Sequence, residues 1–180
     1  MGERGTFSIL LTLRDSDKPL IIKDLNPIIA NNQTLRRRLD SMEEEGLIDL
    51  IVVLINHKAY TVSLTDTGKD VALLLNIANN LVSPGKKTME KSLDMRHADS
   101  VLRILRGKKY VVQKDILEEI KSYTSIKDVL DSMEKDGLVR HTLKTEWPRE
   151  DRYSLTVLGE QIAEIYQAVW EKIDAVRLKG

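Results

Sequence analysis

Three consecutive arginines at positions 36–38 closely follow Asn32, Gln33 and Thr34. An arginine can pair with two atoms on the edge of guanine, a glutamine can do the same with adenine, and all of these side chains can contact phosphate. The arginines could instead pair with glutamates at positions 43–45 on one exposed helix, at roughly 0.2–0.5 kcal/mol per pair. Taken alone, the residues fit nucleic-acid contact and a solvated helix face equally well.

Residues suited to catalysis or metal binding are scattered. His57, His97 and His141 are far apart, and none has carboxylates at the spacing of a metal-binding motif. The chain has neither a glycine-rich phosphate loop nor a G-x-S-x-G motif. The glutamates at 43–45 are expected on an exposed helix, where they would favour solubility. We therefore expect no enzymatic activity, no metal and no cofactor.

The sequence around the arginines occurs twice. Residues 39–48 read LDSMEEEGLI and residues 130–139 read LDSMEKDGLV, while SLTDTG at 63–68 returns as SLTVLG at 154–159. Both matches have the same offset, which indicates a duplicated domain. We predict a first domain over 1–82, a linker over 83–96 and a second domain over 97–180 that ends in a long helix.

Hydrophobic periodicity predicts the elements that would position the arginines. Leu35, Leu39 and Met42 form one stripe on a helix over about 34–45, and Gly46 suits the left-handed conformation just past a helix end. A short helix capped by Asp24 should precede it. Two strands, a helix capped at residue 65 or 66 and the equivalent elements of the second copy follow. The fold class is mainly α with small β-hairpins.

Both predicted hairpins have unusual side chains. Residues 50–55 are apolar on both faces of the first hairpin, so we expect the other copy or a second subunit to cover it. Trp147 lies near the tip of the second hairpin. It would either contact DNA or a protein partner, or pack on its own hairpin.

The last helix of each copy has an apolar seam with the spacing of a helix-pairing surface. The seams could pair within one chain, as an intramolecular pseudo-dimer, or between chains in a homodimer. Both arrangements remain open. The seam residues are Val71, Leu75, Ala78, Val82, Ile162, Tyr166, Val169, Ile173 and Val176.

Composition restricts the class of protein. The 180 residues include 42% hydrophobic and 31% charged residues, which is typical of a soluble globular protein. The formal net charge is zero, which argues against a non-specific nucleic-acid coat but permits a local basic patch. The chain has no cysteine, no signal-peptide core at its start and no apolar run long enough to span a bilayer. We expect a cytoplasmic protein without membrane contact.

The order helix, helix, helix, hairpin, helix resembles winged helix-turn-helix transcriptional regulators of the MarR, PadR and HxlR-like kind, two copies in tandem. The motifs that carry the resemblance are EGLI at 45–48, LTDTG at 64–68, and MEKDGLV at 133–139 followed by WPR at 147–149 and YSLTVLG at 153–159. The first copy departs from the pattern because Val62 stands where the second has Tyr153.

The resemblance implies that the third helix enters the major groove of double-stranded DNA and that the hairpin, or wing, contacts the backbone or minor groove. The implied DNA-binding residues of the first copy are Asn32, Gln33, Thr34, Arg36, Arg37, His57 and Lys58. The second copy has Lys127 and Asp128 in place of Arg36 and Arg37, and an aspartate would repel phosphate. Its remaining candidates are Thr124, Ser125, Lys127, Lys144, Arg149 and Arg152.

A second hypothesis comes from a different class of protein. Zero net charge, Asp128 and the apolar wing also fit a tandem winged-helix scaffold in a larger complex, resembling subunits of chromosome-segregation or membrane-sorting complexes. Copurification with a protein partner and without DNA would distinguish this scaffold from a regulator.

Overall fold

The computed structural model describes residues 4–16, 18–55, 57–85 and 89–178, without the side chains of residues 54–59. Internal contacts divide the chain into two compact units. The first unit contains Gly5–Ile77 and Ala168–Gly180, and the second consists mainly of Ala78–Gln167. In the part of the chain that the structure describes, there are seven α-helices and two three-stranded antiparallel sheets. The prediction of a mainly helical fold with small β-hairpins is confirmed.

The first unit contains one three-stranded sheet, whose strands lie side by side in the order β1-β3-β2. Leu20 and Ile21 pair with Val62 and Thr61, so the third strand comes from a two-residue segment before the hairpin. The unit also contains the later part of the last helix of the chain, described below. Its other elements, in chain order, are α1 (Thr6–Arg14), β1 (Leu20–Ile21), a 3-10 helix (Ile22–Leu25), α2 (Asn32–Glu44), β2 (Ile48–Ile55), β3 (His57–Leu64) and most of α3 (Asp66–Val82).

The apolar stripe of α2 is placed as predicted. Leu35, Leu39 and Met42 are fully buried, and Gly46 follows the helix with a φ of 67°. The helix before α2 differs from its prediction, because it is a single 3-10 turn rather than an α-helix capped by Asp24. Asp24 lies inside this turn, and its carboxylate accepts a hydrogen bond from the Ile21 N–H at 3.1 Å.

The second unit has the same order of strands in its sheet, β4-β6-β5. Two complete α-helices, α5 and α6, precede its hairpin and are joined by Lys121 and Ser122. The elements of this unit are α4 (Ala98–Leu105), β4 (Val111–Val112), α5 (Gln113–Ile120), α6 (Tyr123–Lys135), β5 (Val139–Lys144), β6 (Glu150–Leu155) and the first part of α7 (Val157–Arg177).

A repeated threonine joins hairpin to helix in each unit. The Thr65 hydroxyl donates to the Gly46 carbonyl at 2.6 Å and accepts from the Gly68 N–H at 2.9 Å. A Cβ on Gly68 would lie 1.9 Å from the Leu47 carbonyl oxygen, so only glycine fits. Thr65 is therefore the helix cap, one of the two residues predicted for that role.

The equivalent motif of the second unit has matching geometry. The Thr156 hydroxyl donates to the Gly137 carbonyl at 2.6 Å, and a Cβ on Gly159 would lie 2.0 Å from the Leu138 carbonyl oxygen. Leu-Thr-x-x-Gly is therefore a packing motif that locks the start of a helix against the turn before the hairpin.

The seam residues of α3 and α7 lie inside the folded chain. Val82 and Val176 are half-buried, and the other seven are buried. Within the first unit, Lys172 of α7 pairs with Asp70 of α3 at 2.7 Å. Within the second, the buried hydroxyl of Tyr166 donates to the Leu93 carbonyl at 3.1 Å. Both seams are thus used within one chain.

Candidate functional site

The first two turns of α2 present a polar surface to solvent. Asn31 begins the helix, since its side-chain oxygen accepts a hydrogen bond from the Thr34 N–H at 2.8 Å. Asn32, Gln33 and Arg37 are exposed and Thr34 is half-buried. Because the opposite side of the helix is buried in the core, these side chains point away from it. Gln33 and Arg37 therefore lie on the outward side of α2.

Arg36 is held in place by two neighbours. Its guanidinium carbon lies 4.3 Å from the centre of the Tyr60 ring on β3, and its Nε is 2.8 Å from Oδ1 of Asp40. The ring contact is a cation–π interaction, and Asp40 offsets part of the positive charge. Arg37 makes no ion pair with any residue in the described part of the chain. The two neighbouring arginines therefore differ, since one is oriented and the other is free to reorient.

The remaining charged residues of α2 have structural roles. Arg38 is buried, as its position beside the apolar stripe indicates. The expectation that the glutamates at 43–45 are all exposed is wrong for Glu45, which is buried and accepts a hydrogen bond from the Arg177 guanidinium at 3.1 Å. Glu43 accepts a hydrogen bond from the Leu50 N–H at 3.2 Å.

Two predicted contact residues belong to the tip of the first hairpin. His57 and Lys58 begin β3, and their side chains lie outside the described residues. Nearer the base of the hairpin, Ile51 and Val52 are exposed, with 56% of the Ile51 surface accessible in the whole chain.

The equivalent helix of the second unit, α6, has a different surface. Thr124 and Lys127 are exposed, while Ser125 is half-buried with its hydroxyl 3.0 Å from that of Ser122. Asp128 is also exposed and occupies the position of Arg37 in the repeat. The sequence analysis missed Tyr123, an exposed aromatic residue at the start of α6. The only signal for it was its place directly after the predicted turn.

The second hairpin is rich in internal ion pairs. Arg152 pairs with Glu150 at 2.8 Å and lies 4.2 Å over the ring of Tyr110, so its charge is already engaged. Lys144 is half-buried, and Arg149 is exposed. Trp147 is 92% exposed, which excludes the interpretation that it packs on its own hairpin.

Acidic groups dominate the surroundings of Tyr153 on β6. Burial raises the pKa of its hydroxyl to about 12, and the negative charges of Asp151, Asp131 and Glu134 add to the shift. His141 stacks on the same ring with its centre 4.8 Å away, and its Nε2 lies 2.7 Å from Asp151. Two of these acids, Asp131 and Glu134, belong to α6 and are exposed, so this helix carries negative charge near Tyr153.

The described ranges contain neither a metal-binding cluster nor a helix that could span a membrane. No group of three or more histidine, aspartate or glutamate side chains among these residues could hold a metal ion. No helix in this part of the chain is both long and apolar enough to cross a membrane.

No family model and no curated protein sequence matches the chain. Solved structures match parts of it. A proposed MarR-family transcriptional regulator from Enterococcus faecalis V583 is 22% identical with a TM-score of 0.43, over 64% of this chain and 92% of its own. One from Porphyromonas gingivalis W83 is 19% identical with a TM-score of 0.42, over 45% and 80%. A PadR-like transcription factor from Bacteroides fragilis is 19% identical with a TM-score of 0.38, over 45% and 85%.

Proposed function

We propose that this chain is a DNA-binding transcriptional regulator of the cytoplasm whose helix α2 enters the major groove of double-stranded DNA. The observation that carries the proposal is the exposed row Asn32, Gln33 and Arg37 on the first turns of a helix whose other side is buried. Such a helix can dock as a rigid body, while its outward amides and guanidinium reach base edges and phosphates.

Arg36 supports the same proposal. An arginine that is already oriented by Tyr60 and Asp40 loses less conformational entropy when it binds a phosphate or a base. The ion pair with Asp40 also lowers the charge that the surface offers to DNA. We therefore assign phosphate attraction chiefly to Arg37 and a geometric role to Arg36.

We further propose that the chain contains two winged helix-turn-helix domains in tandem, over 1–82 and 97–180, separated by a linker over 83–96. The matched geometry around Thr65 and Thr156 and the common strand order support this organisation. The first domain carries the DNA-binding surface, because Asp128 and the acids beside Tyr153 weaken the equivalent surface of the second.

Selection of bound fragments from random or genomic DNA, followed by binding measurements on variants, tests the function. Replacing Arg36 and Arg37 together by alanine should cost about 2–5 kcal/mol of specific binding if both contact bases or phosphates. The matched control replaces Lys108 and Lys109 together by alanine, because these two adjacent exposed lysines lie outside α2 and α6, and this variant should bind like the wild type. If the double variant binds the selected fragments as tightly as the wild type across a salt titration, the proposal is wrong.

The protein scaffold remains a second candidate because large apolar side chains are exposed on the second unit. Trp147, Tyr123 and Leu143 all face solvent on the second unit. Exposed aromatic residues of this kind often anchor protein partners. A stoichiometric partner recovered from native lysate, with no DNA retained at low salt, would favour the scaffold over the regulator.

A further inference from the structure

In the first unit, the apolar strand β2 pairs with β3 on one side and has no partner strand on its other side among the described residues. The strand order β1-β3-β2 places β2 at the edge. Ile21, Thr61 and Ile51 lie side by side across the three strands, and Ile21 and Ile51 are 40% and 56% exposed. The outer face of the sheet and its free edge therefore form one apolar surface, which we call the β2 edge.

The second unit shows how such an edge is normally protected. Its edge strand β5 carries Arg140, Thr142 and Lys144 on the face that corresponds to Asp49, Ile51 and Val53. Charged side chains, lysine above all, discourage another chain from pairing with an exposed strand. The only charged residue of β2 is Asp49. The two copies thus differ at this edge in the feature that controls strand pairing.

The other apolar surfaces expected to pair between chains are already occupied. The seam residues Leu75, Ile162 and Val169 are fully buried in a single chain. A second chain that associates through apolar contacts must therefore use a different surface. The β2 edge combines exposed isoleucine with a strand edge that has no partner strand in the described part of the chain, whereas the exposed stripe Leu73, Ile77 and Leu81 on α3 offers apolar side chains alone.

We propose that the β2 edge binds the β2 edge of a second copy of this chain, forming a continuous antiparallel sheet across a twofold axis. A second copy supplies both an unpaired strand and matching apolar side chains, as isologous association requires. This interface does not depend on the proposed DNA-binding function, because β2 carries none of the implied DNA-binding residues. His57 and Lys58 of the same hairpin belong to β3.

The backbone limits the registers that this pairing can adopt. The Leu50 N–H points away from β3, toward the outer edge of β2, because it donates to the Glu43 side chain at 3.2 Å. Alternation along a strand turns the Val52 N–H to the same edge. A hydrogen-bonded Val52 pair would then lie on the twofold axis, with Ile51 of each copy opposite Val53 of the other.

Charge favours a second copy as the occupant. In this register the two Asp49 side chains lie on opposite sides of the axis, so like charges are not brought face to face. The formal net charge of the chain is zero, so two copies have no overall electrostatic repulsion to overcome. A strongly charged partner would gain little from an edge whose central residues are uncharged.

Sedimentation equilibrium over about 1–100 µM chain tests the proposal, because we expect a dissociation constant on the order of micromolar. The wild type should approach twice the chain mass of 20.5 kDa. Ile51→Lys should weaken association at least about tenfold, since it places a charge at the paired edge. Its matched control, Thr142→Lys at the same repeat position of β5, should associate like the wild type.

A second variant separates loss of pairing from loss of folding. Val52→Pro removes one outward N–H, which an edge strand tolerates, and should also abolish association while circular dichroism stays like that of the wild type. A monomeric wild type over the whole range, or equal association of Ile51→Lys and Thr142→Lys, would overturn the proposal.

A photo-crosslinker at position 51 should give a product of twice the chain mass in cells. A product with a different protein would also overturn it.

Discussion

The guanidinium of Arg36 lies 4.3 Å over the ring of Tyr60, so strand β3 orients a side chain of helix α2. Replacing Tyr60 by leucine removes the aromatic ring and lets Arg36 reorient. A cation–π contact at an exposed site contributes about 0.5–1 kcal/mol, so DNA affinity should fall about 2–5-fold. Fluorescence anisotropy with a selected DNA fragment measures this change.

A parallel contact in the second unit provides the control for Tyr60. Tyr110 lies 4.2 Å beneath the guanidinium of Arg152, so Tyr110→Leu removes the same kind of interaction away from α2. We expect wild-type affinity for this variant. Equal losses in both variants would show that orientation of Arg36 has no particular part in binding.

Asp128 should limit the binding of DNA by the second unit. Replacing it by arginine restores the charge found at Arg37 and adds a phosphate contact if α6 approaches DNA. The slope of log affinity against log salt should then become steeper by about 1. Glu164→Arg, an equal change of charge on the exposed side of α7, is the control. An unchanged slope for Asp128→Arg would mean that α6 does not approach DNA.

Local patterns were sufficient to predict much of the fold. The stripe of Leu35, Leu39 and Met42, the glycine after it and the threonine cap of α3 each depend on residues close in sequence.

Contacts between distant residues could not be predicted. Glu45 and Arg177 are far apart in the sequence, and no local pattern indicates that this glutamate is buried while its neighbours are exposed. The 3-10 turn at Ile22 replaced the predicted helix because Asp24 bonds to the Ile21 N–H from inside the turn rather than from its start. The ion pair of Arg36 with Asp40 was likewise one of several possible pairings.

Gly46 and Gly137 occupy equivalent positions but should respond differently to substitution. Both have a left-handed backbone, with φ of 67° and 72°. A Cβ on Gly46 would lie 2.6 Å from a methyl group of Val176, whereas nothing lies within 4 Å of one on Gly137. Gly137→Ala should cost about 1–2 kcal/mol for the backbone alone. Gly46→Ala should cost about 1–3 kcal/mol more for the steric conflict.

Urea denaturation of the two alanine variants measures this difference. Val176→Ala should partly relieve Gly46→Ala in a double-mutant cycle, with a coupling of about 0.5–3 kcal/mol, but should not relieve Gly137→Ala. Equal costs for the two glycines, or no coupling with Val176, would show that the last turns of α7 do not pack on the end of α2 in solution.

Tyr166 should make the chain less stable at high pH. Burial raises the pKa of its hydroxyl well above the ordinary value of 10.0, so the folded state keeps a proton that the unfolded state releases. The contribution of the protonated Tyr166 to the free energy of unfolding is therefore complete below pH 10 and declines as pH rises above it. The decline is about 1.4 kcal/mol per pH unit for one such group.

Tyr166→Phe separates this ionisation from the hydrogen bond that the hydroxyl donates to Leu93. Loss of the bond should reduce the free energy of unfolding by about 1–3 kcal/mol at neutral pH, because the buried carbonyl loses its donor. Between pH 7 and 9 the difference from wild type should be constant. Above pH 10 the wild type should lose stability faster than the variant, until the two curves converge. Parallel curves up to pH 11 would show that the Tyr166 hydroxyl reaches solvent in the folded protein.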